Sequence, residues 1–286
     1  MSNNFATIYG VDKKVKAPEL QEKTVTDNGE VTFDEGFDGL SKVTVNVPHM
    51  DSLIDYSVRT VDSKATQVKP YCFQGCRNLK TVNLPNATTI GSYAFHNADA
   101  LKHLSIPKVT SLLVNAIEGC IELQSIHAPL MSTIPDYMFR FLTKLSDVNF
   151  QSANAIGNYA FSGCAIARID KTAFTNATSI GEGAFEGCPV TYADFQNVTA
   201  INQGAFGSTS LKVLVLRSSS KCTLYSSGTN VFPSSLQYIY VRKSLISSYQ
   251  NMSNSSEIWN LQGLLDKIRA IEDYSDDGTV DGNIPM

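Results

Sequence analysis

Apolar positions along the chain recur about every 22 residues, and a period of that size predicts stacked structural repeats in place of a single globular core. The anchor of each repeat is a two-residue step, with a small or flexible residue first and usually Phe second. It reads Cys72-Phe73, Ala94-Phe95, Ala116-Ile117, Met138-Phe139, Ala160-Phe161, Ala184-Phe185 and Ala205-Phe206, at spacings of 22, 22, 22, 22, 24 and 21, with a degenerate copy at Val231-Phe232. Five residues ahead of the second anchor residue stands an aliphatic: Val68, Ile90, Leu112, Ile134, Ile156, Ile180 and Ile201. Behind it follows an apolar triplet such as Leu79/Val82/Leu84, Leu101/Leu104/Ile106 or Leu211/Leu214/Leu216. The last two members of each triplet lie two apart and so share one face of a strand, which gives one short strand per copy. Pro85, Pro107 and Pro129 then end the strand where a missing N–H wastes no partner. The rest of each copy must return by a turn or short helix.

One such copy cannot bury its own apolar face, so the copies must stack and pair their strands in parallel. The expected fold is a mixed α/β solenoid of about eight 22-residue units, one parallel strand each, filling residues 50–242. Residues 1–49 read as a small β-rich N-terminal unit, with Val25, Val31, Val43, Val45 and Val47 around Asp-Asn-Gly and Asp-Gly turn signals. Residues 243–272, rich in spaced apolar residues from Leu245 to Ile271 and including Trp259, read as a helical C-terminal cap. Residues 273–286 read as a loose acidic tail.

Charge and composition narrow the function. Twenty-three basic against 27 acidic residues, a net charge of −4, speak against a nucleic-acid partner. No apolar run approaches the roughly 20 residues of a membrane-spanning helix. The first ten residues lack the basic and apolar regions of a signal peptide, so the general secretory route is not expected.

The pattern Ile-Gly-x-x-Ala-Phe-x-x-Cys-x-x-Leu-x-x-Val-x-Leu-Pro, nearly complete from Ile90 to Pro107 and repeated from Ile156 to Cys164, resembles the BspA-type leucine-rich repeat over residues 52–242. Two copies depart from it. The third has Leu112-Leu113 in place of Ile-Gly, and the fifth, Ile166 to Phe174, carries extra residues and puts Lys171 at an apolar place, where a bulge or changed curvature is expected. The stretch from Leu20 to Val47, with the flanks Leu53 to Asp55 and Lys267 to Tyr274, resembles segments of tail and other virion-associated proteins of phages and prophages of Gram-positive bacteria. That resemblance implies a non-enzymatic virion protein of the tail or baseplate, assembled in the host cytoplasm and binding a host-surface glycan or protein. Residues 1–49 would then attach it to other tail proteins and allow an oligomer. The alternative is a bacterial cell-surface adhesin of the same repeat family.

Candidate chemistry is sparse. Cys76, Cys120, Cys164 and Cys188 share one repeat position and Cys72 stands in the anchor column, so buried thiols are expected in preference to metal ligands. Cys164 and Cys188, in neighbouring copies, could approach disulfide range under oxidant, and Cys222, in the irregular stretch 218–230, is expected to be the most reactive of the six. His103 and His127 fall on adjacent strands, where solvated imidazoles or a shared anion or metal site are the two readings. No catalytic constellation, metal site or cofactor is expected. What remains is the outward face of the strands, polar and small at Thr81/Asn83, His103/Ser105, Ser125/His127 and Asp147/Asn149, but aromatic and aliphatic at its far end. Tyr192, Asp194, Val213, Val215, Tyr238 and Tyr240 are therefore the expected ligand contacts, unless the C-terminal segment folds over them.

Overall fold

In the computed structural model, side chains are described for residues 58–113, 115–225, 231–249 and 264–273. Backbone is described also for residue 250 and for the strands Asn4–Ile8, Val11–Val15, Leu20–Val25, Gly39–Val45, His49–Met50 and Leu53–Ile54. Ile258, Trp259 and Leu261 of the expected cap, the turn signals of the N-terminal unit and the tail beyond Asp273 lie outside the described residues. The chain divides into two units, Met1–Met131 with Leu142–Asn149, and Ser132–Phe141 with Phe150–Met286.

Both units are built from turns of a parallel β-solenoid. In the first, seven strands run in parallel in the spatial order Asp147–Asn149, Ser125–His127, His103–Ser105, Thr81–Asn83, Thr60–Ser63, Gly39–Val45 and Leu20–Val25. The ladder thus crosses residue 50, because Gly39–Val45 pairs directly with Thr60–Ser63. A separate antiparallel sheet joins Val11–Val15, Asn4–Ile8 and Leu53–Ile54. In the second unit the main ladder is Arg168–Ile169, Tyr192–Phe195, Val213–Leu216, Tyr238–Val241 and Ile268–Ala270.

Each turn contains more strand than its triplet predicts. The aliphatic ahead of the anchor pairs with its counterpart one turn on, forming a second ladder of two-residue strands: His49–Met50, Gln67–Val68 and Thr89–Ile90 in the first unit, and Ala155–Ile156, Ser179–Ile180, Ala200–Ile201 and Thr223–Leu224 in the second. The glycine that follows this aliphatic allows the close approach of successive turns. A Cβ at Gly91 would lie 2.3 Å from the Pro70 nitrogen, and one at Gly181 2.6 Å from the Gly157 carbonyl carbon. Leu112 and Ile134, followed by Leu113 and Pro135, make only the isolated bridges Ile90↔Leu112 and Ile134↔Ile156, whereas Val68 and Ile201, followed by Lys69 and Asn202, stay in the ladder.

Inside the turns the anchor phenylalanines stack. Phe73 and Phe95 lie 4.8 Å apart with their planes nearly parallel in the first unit, where Ile117 is buried at the same repeat position. In the second unit Phe139, Phe161, Phe185, Phe206 and Phe232 follow one another at 5.0, 5.5, 5.5 and 6.0 Å. Stacking repeats because the backbone repeats: Phe73, Phe95, Phe161 and Phe185 each donate an N–H to the carbonyl of the small anchor residue one turn on, at 2.7–2.8 Å. The extra residues of the fifth copy are absorbed in the turn from Lys171 to Asn176, and Phe174 fills the core beside Phe150, Phe161 and Phe185.

The return legs are turns, and among the described residues the α-helical content is confined to Ile246–Gln250, a short helix within the expected C-terminal cap, whose residues 251–263 lie outside the described residues. After three-residue 3-10 helices at Lys243–Leu245 and Leu265–Lys267, the chain adds Ile268–Ala270 as a parallel strand beside Tyr238–Val241 and ends in a 3-10 turn, Ile271–Asp273. Ile268 and Ala270 are buried with Arg269 half-exposed between them, the alternation of a strand. The added strand satisfies backbone groups that the last ladder strand would otherwise leave open.

The thiols continue the column logic. All six cysteines are buried thiols outside any disulfide. Cys120, Cys164 and Cys188 donate their S–H to the carbonyl of Phe95, Phe139 and Phe161 in the turn before, at 3.2, 3.0 and 3.0 Å. Cys222, expected to be the most reactive of the six, is as enclosed as the others. It is fully buried, and its N–H donates to the Tyr249 hydroxyl at 2.8 Å, which ties this loop to the C-terminal helix.

Phe161→Ala removes a ring stacked on both sides and should lower unfolding free energy by about 3–5 kcal/mol, measured by urea denaturation. Burial pushes the thiols of Cys120, Cys188 and Cys222 up from 9.0 to about 12. Above pH 9 the unfolded chain loses these protons while the folded chain keeps them, so their contribution is full below pH 9 and is lost as pH rises toward 12. Urea midpoints should therefore fall between pH 8 and about 10, and the fall should shrink in a Cys120→Ala/Cys188→Ala variant. A thiol reagent should label none of the six, Cys222 included, until denaturant is added.

Candidate functional site

The outward positions of the strands divide by unit. In the first unit they are open to solvent and polar. His103, His127 and Asp147 are exposed, while Thr81, Asn83, Ser105, Ser125 and Asn149 are half-buried. Parallel register places them in two columns, Thr81–His103–Ser125–Asp147 and Asn83–Ser105–His127–Asn149. Neighbours in these columns reach one another: His103 Nδ1 lies 2.9 Å from the Ser125 hydroxyl, and His127 Nε2 lies 3.3 Å diagonally from a carboxylate oxygen of Asp147. No group of three His, Cys, Asp or Glu side chains is arranged to hold a metal among the described residues. The arrangement is a solvent-facing sheet of hydrogen-bonding groups, able to meet a polar surface across several strands.

In the second unit the same register is covered, the second of the two readings the sequence left open for it. Tyr192, Val213, Val215 and Tyr240 are buried in one cluster with Ile271, and Tyr238 packs half-buried against it. Lys243 Nζ holds Asp273 at 2.7 Å, Glu272 accepts the Lys243 N–H, and Lys267 Nζ reaches the Leu236 carbonyl. Val213 and Val215 are therefore core residues, and exposed Tyr and Val side by side was the sequence mark of a face covered by the chain itself. Of the six expected contacts Tyr238 alone keeps a partly open ring, with the Arg269 guanidinium 5.8 Å from its centre.

Asp194 lies in the same covered region as a buried anion. Arg217 donates to both of its oxygens at 2.8 Å, and the Tyr192 hydroxyl donates to one at 3.2 Å. Arg242 Nε in turn donates to the Arg217 carbonyl at 2.6 Å. Burial and the adjacent carboxylate push the Tyr192 phenol well above its ordinary range. A buried carboxylate that has lost water needs such a two-pronged partner, so this group fixes the last turns in register and is not free to meet a ligand.

Sequence reasoning passed over a third set of side chains, those immediately ahead of the anchor. Tyr71 and Tyr93 in the first unit stack at 5.4 Å, with Asn115 donating to the Tyr93 hydroxyl at 3.0 Å. Tyr137 and Tyr159 in the second stack at 5.5 Å. The signal was present in the sequence, a Tyr one residue before the small residue of four anchors, but the column alternates with Asn115, Gly183 and Gly204 and so reads as a loop position.

The fold and its outward faces define a repeat protein, a parallel β-solenoid whose surfaces are set by what each turn presents at a fixed register. Residues 66–175 and 154–275 match the BspA type leucine rich repeat region in six copies, and the chain belongs to this family. Proteins of this kind mediate protein–protein interaction and are typically non-enzymatic binding or adhesion scaffolds. Comparison with curated protein sequences returns no match. Among solved structures, the chain is similar to a leucine rich cell surface protein from Faecalibacterium prausnitzii A2-165, at 17% identity over 99% of this chain and 98% of that one, with a TM-score of 0.36. It is also similar to the pneumococcal vaccine antigen PcpA, at 12% identity over 84% and 80% of the two chains and a TM-score of 0.34. A leucine-rich repeat protein from Bacteroides ovatus ATCC 8483 follows at 15% identity over 85% and 64%, with a TM-score of 0.33. Family membership rests on the repeat pattern and not on these superpositions.

Arg217→Met strands Asp194 as an uncompensated buried charge and should cost about 3–5 kcal/mol. Asp194→Asn together with Arg217→Met should recover part of that loss, with both effects read from chemical denaturation.

Proposed function

We propose that this protein is a non-enzymatic adhesion or binding module that acts at a bacterial cell surface and meets a glycan or protein of a partner surface through the open strand face of its first unit. The observation that carries this reading is the contrast between the two faces. One register holds exposed His103, His127 and Asp147 in the first unit and buried Tyr192, Val213, Val215 and Tyr240 in the second. The six residues at the far end are not carried into the binding surface, apart from the partly open Tyr238. Residues 1–49 serve attachment.

A second reading places the chain in a phage or prophage virion, in the tail or baseplate. The resemblance of Leu20 to Val47 favours it, and that stretch precedes the residues matched by the repeat family. Antibody labelling of intact source bacteria against labelling of particles released after prophage induction separates the two locations.

The binding function is tested with the triple variant His103→Ala/His127→Ala/Asp147→Ala, whose changes are all at exposed positions and should leave the unfolding midpoint within about 0.5 kcal/mol of wild type. Fluorescently labelled chain is titrated onto bacterial and epithelial cells. The variant should bind about tenfold or more weakly than wild type or than an exposed control, Lys212→Ala. Equal binding by all three would move the recognition surface elsewhere.

A further inference from the structure

The second unit contains a cluster of side chains that neither stacking nor the strand face explains. Two residues after the anchor phenylalanine, successive turns place Gly75, Asn97, Gly119, Phe141, Gly163, Gly187 and Ser208, all at positive φ. That conformation suits Gly and is tolerated by Asn, but for a bulky side chain it is an outlier costing on the order of 1–3 kcal/mol. Phe141 adopts it at φ 62° and gains no burial in return, since its ring is 61% exposed. Beside it Tyr137 and Tyr159 stand at φ 60° and 53°, Tyr137 being 52% exposed. Inter-turn hydrogen bonds hold all three backbones: Tyr137 N–H donates to the Asn158 carbonyl, Phe141 to Ser162 and Tyr159 to Glu182, at 2.7–2.9 Å. The neighbouring turn makes room. A Cβ at Gly163 would lie 2.9 Å from the Phe141 ring, and one at Gly183 2.3 Å from the Tyr159 ring.

Arg140 completes the cluster. Its guanidinium carbon is 4.4 Å from the Phe141 ring centre, 5.5 Å from that of Tyr137 and 5.6 Å from that of Tyr159. Among the described residues no carboxylate pairs with it and no hydrogen bond uses its N–H groups. A guanidinium gathered among aromatic rings keeps its forked donors free for a planar anion. Nearby, the Tyr159 hydroxyl donates to the Glu182 carboxylate at 2.9 Å, which leaves acceptor positions for hydroxyl donors.

We propose that Tyr137, Arg140, Phe141, Tyr159 and Glu182 form a second binding site, for an acidic sugar residue of a surface glycan. The C–H face of the sugar lies on the Phe141 ring, its carboxylate takes the Arg140 donors, and its hydroxyls meet Glu182. Size favours a sugar over a protein partner: two exposed rings and one arginine offer far less than the roughly 800 Å² that each side of a stable protein interface buries. Charge favours an acidic sugar over a neutral one, because the unused donors of Arg140 gain most from a carboxylate.

The test uses the full chain, with oligogalacturonate and sialyllactose as acidic probes and maltotetraose and lactose as neutral controls, by saturation-transfer NMR and calorimetry. Phe141→Gly installs the residue found at this place in four other turns and so should fold with an unchanged or higher melting temperature. Phe141→Gly and Arg140→Gln should each weaken binding of an acidic probe by about tenfold or more, with little binding of the neutral sugars in any version. Wild type that binds neither acidic probe, binds neutral sugars as well as acidic ones, or binds as tightly as both folded variants overturns the site. So does capture of an oligoglutamate peptide in preference to either acidic sugar. Cell binding measured in parallel separates this site from the adhesion reading. Cells bound equally by wild type and both variants, with no acidic probe bound, remove the sugar site and leave adhesion standing. Probe binding lost in the variants while no version binds cells supports the sugar site and removes adhesion.

Discussion

The extended legs of a solenoid turn must find their hydrogen-bond partners one turn away, because a strand cannot pair with itself, while the bends between them bond locally. The N–H groups of the anchor phenylalanines meet this requirement on the carbonyl of the next small residue, and the strands and the aliphatic leg meet it on theirs. Three backbone legs per turn thus lock to one register, and everything else follows from that lock. Phenylalanines stack because their backbones are superposed, and cysteines reach the preceding carbonyl for the same reason. At Gly91, Gly157 and Gly181 the glycine after the aliphatic lies so near the neighbouring backbone that an added Cβ would force a shift.

Much of this was legible because a period is a strong signal. The parallel strands at Leu104, Ile126 and Val148, the buried anchors and the common cysteine column could all be read from spacing alone. The second ladder was less legible, since a single aliphatic such as Ile180 marks a two-residue strand as weakly as it marks a turn. The C-terminal strand was hidden for a related reason. Ile268, Ala270 and Ile271 fit a helical spacing within a longer apolar segment, and only an open ladder edge beside Tyr238–Val241 makes them a strand. The far end of the strand face stayed ambiguous in the sequence because a patch that binds a partner and a patch covered by the same chain have one composition. The register of Tyr192, Val213 and Tyr238 could be read from spacing, and their burial could not.

Two ways of handling polar groups coexist in this chain. On the first unit's strands His103, His127 and Asp147 are exposed and Ser125 half-buried, joined only by single contacts, so an incoming polar surface could meet them without breaking a buried pair. In the second unit Asp194 and Arg217 have already made that exchange with each other, permanently and in a fixed geometry. The same register therefore stays open to solvent in one place and serves alignment in the other.

The fifth copy sets a limit on how such a gene can grow. Most turns exchange equivalent contacts with their neighbours, so duplication of a 22-residue unit such as the one around Phe95 would find its hydrogen bonds and its ring partners already waiting. The turn around Phe174 has no interchangeable neighbour. Its ring sits among Phe150, Phe161, Phe185 and Phe195, and its added residues have no counterpart on either side. Recombination that lengthens or shortens the array would be tolerated on either side of residues 166–176 and selected against within them, leaving this irregular turn as the fixed point around which the number of repeats drifts.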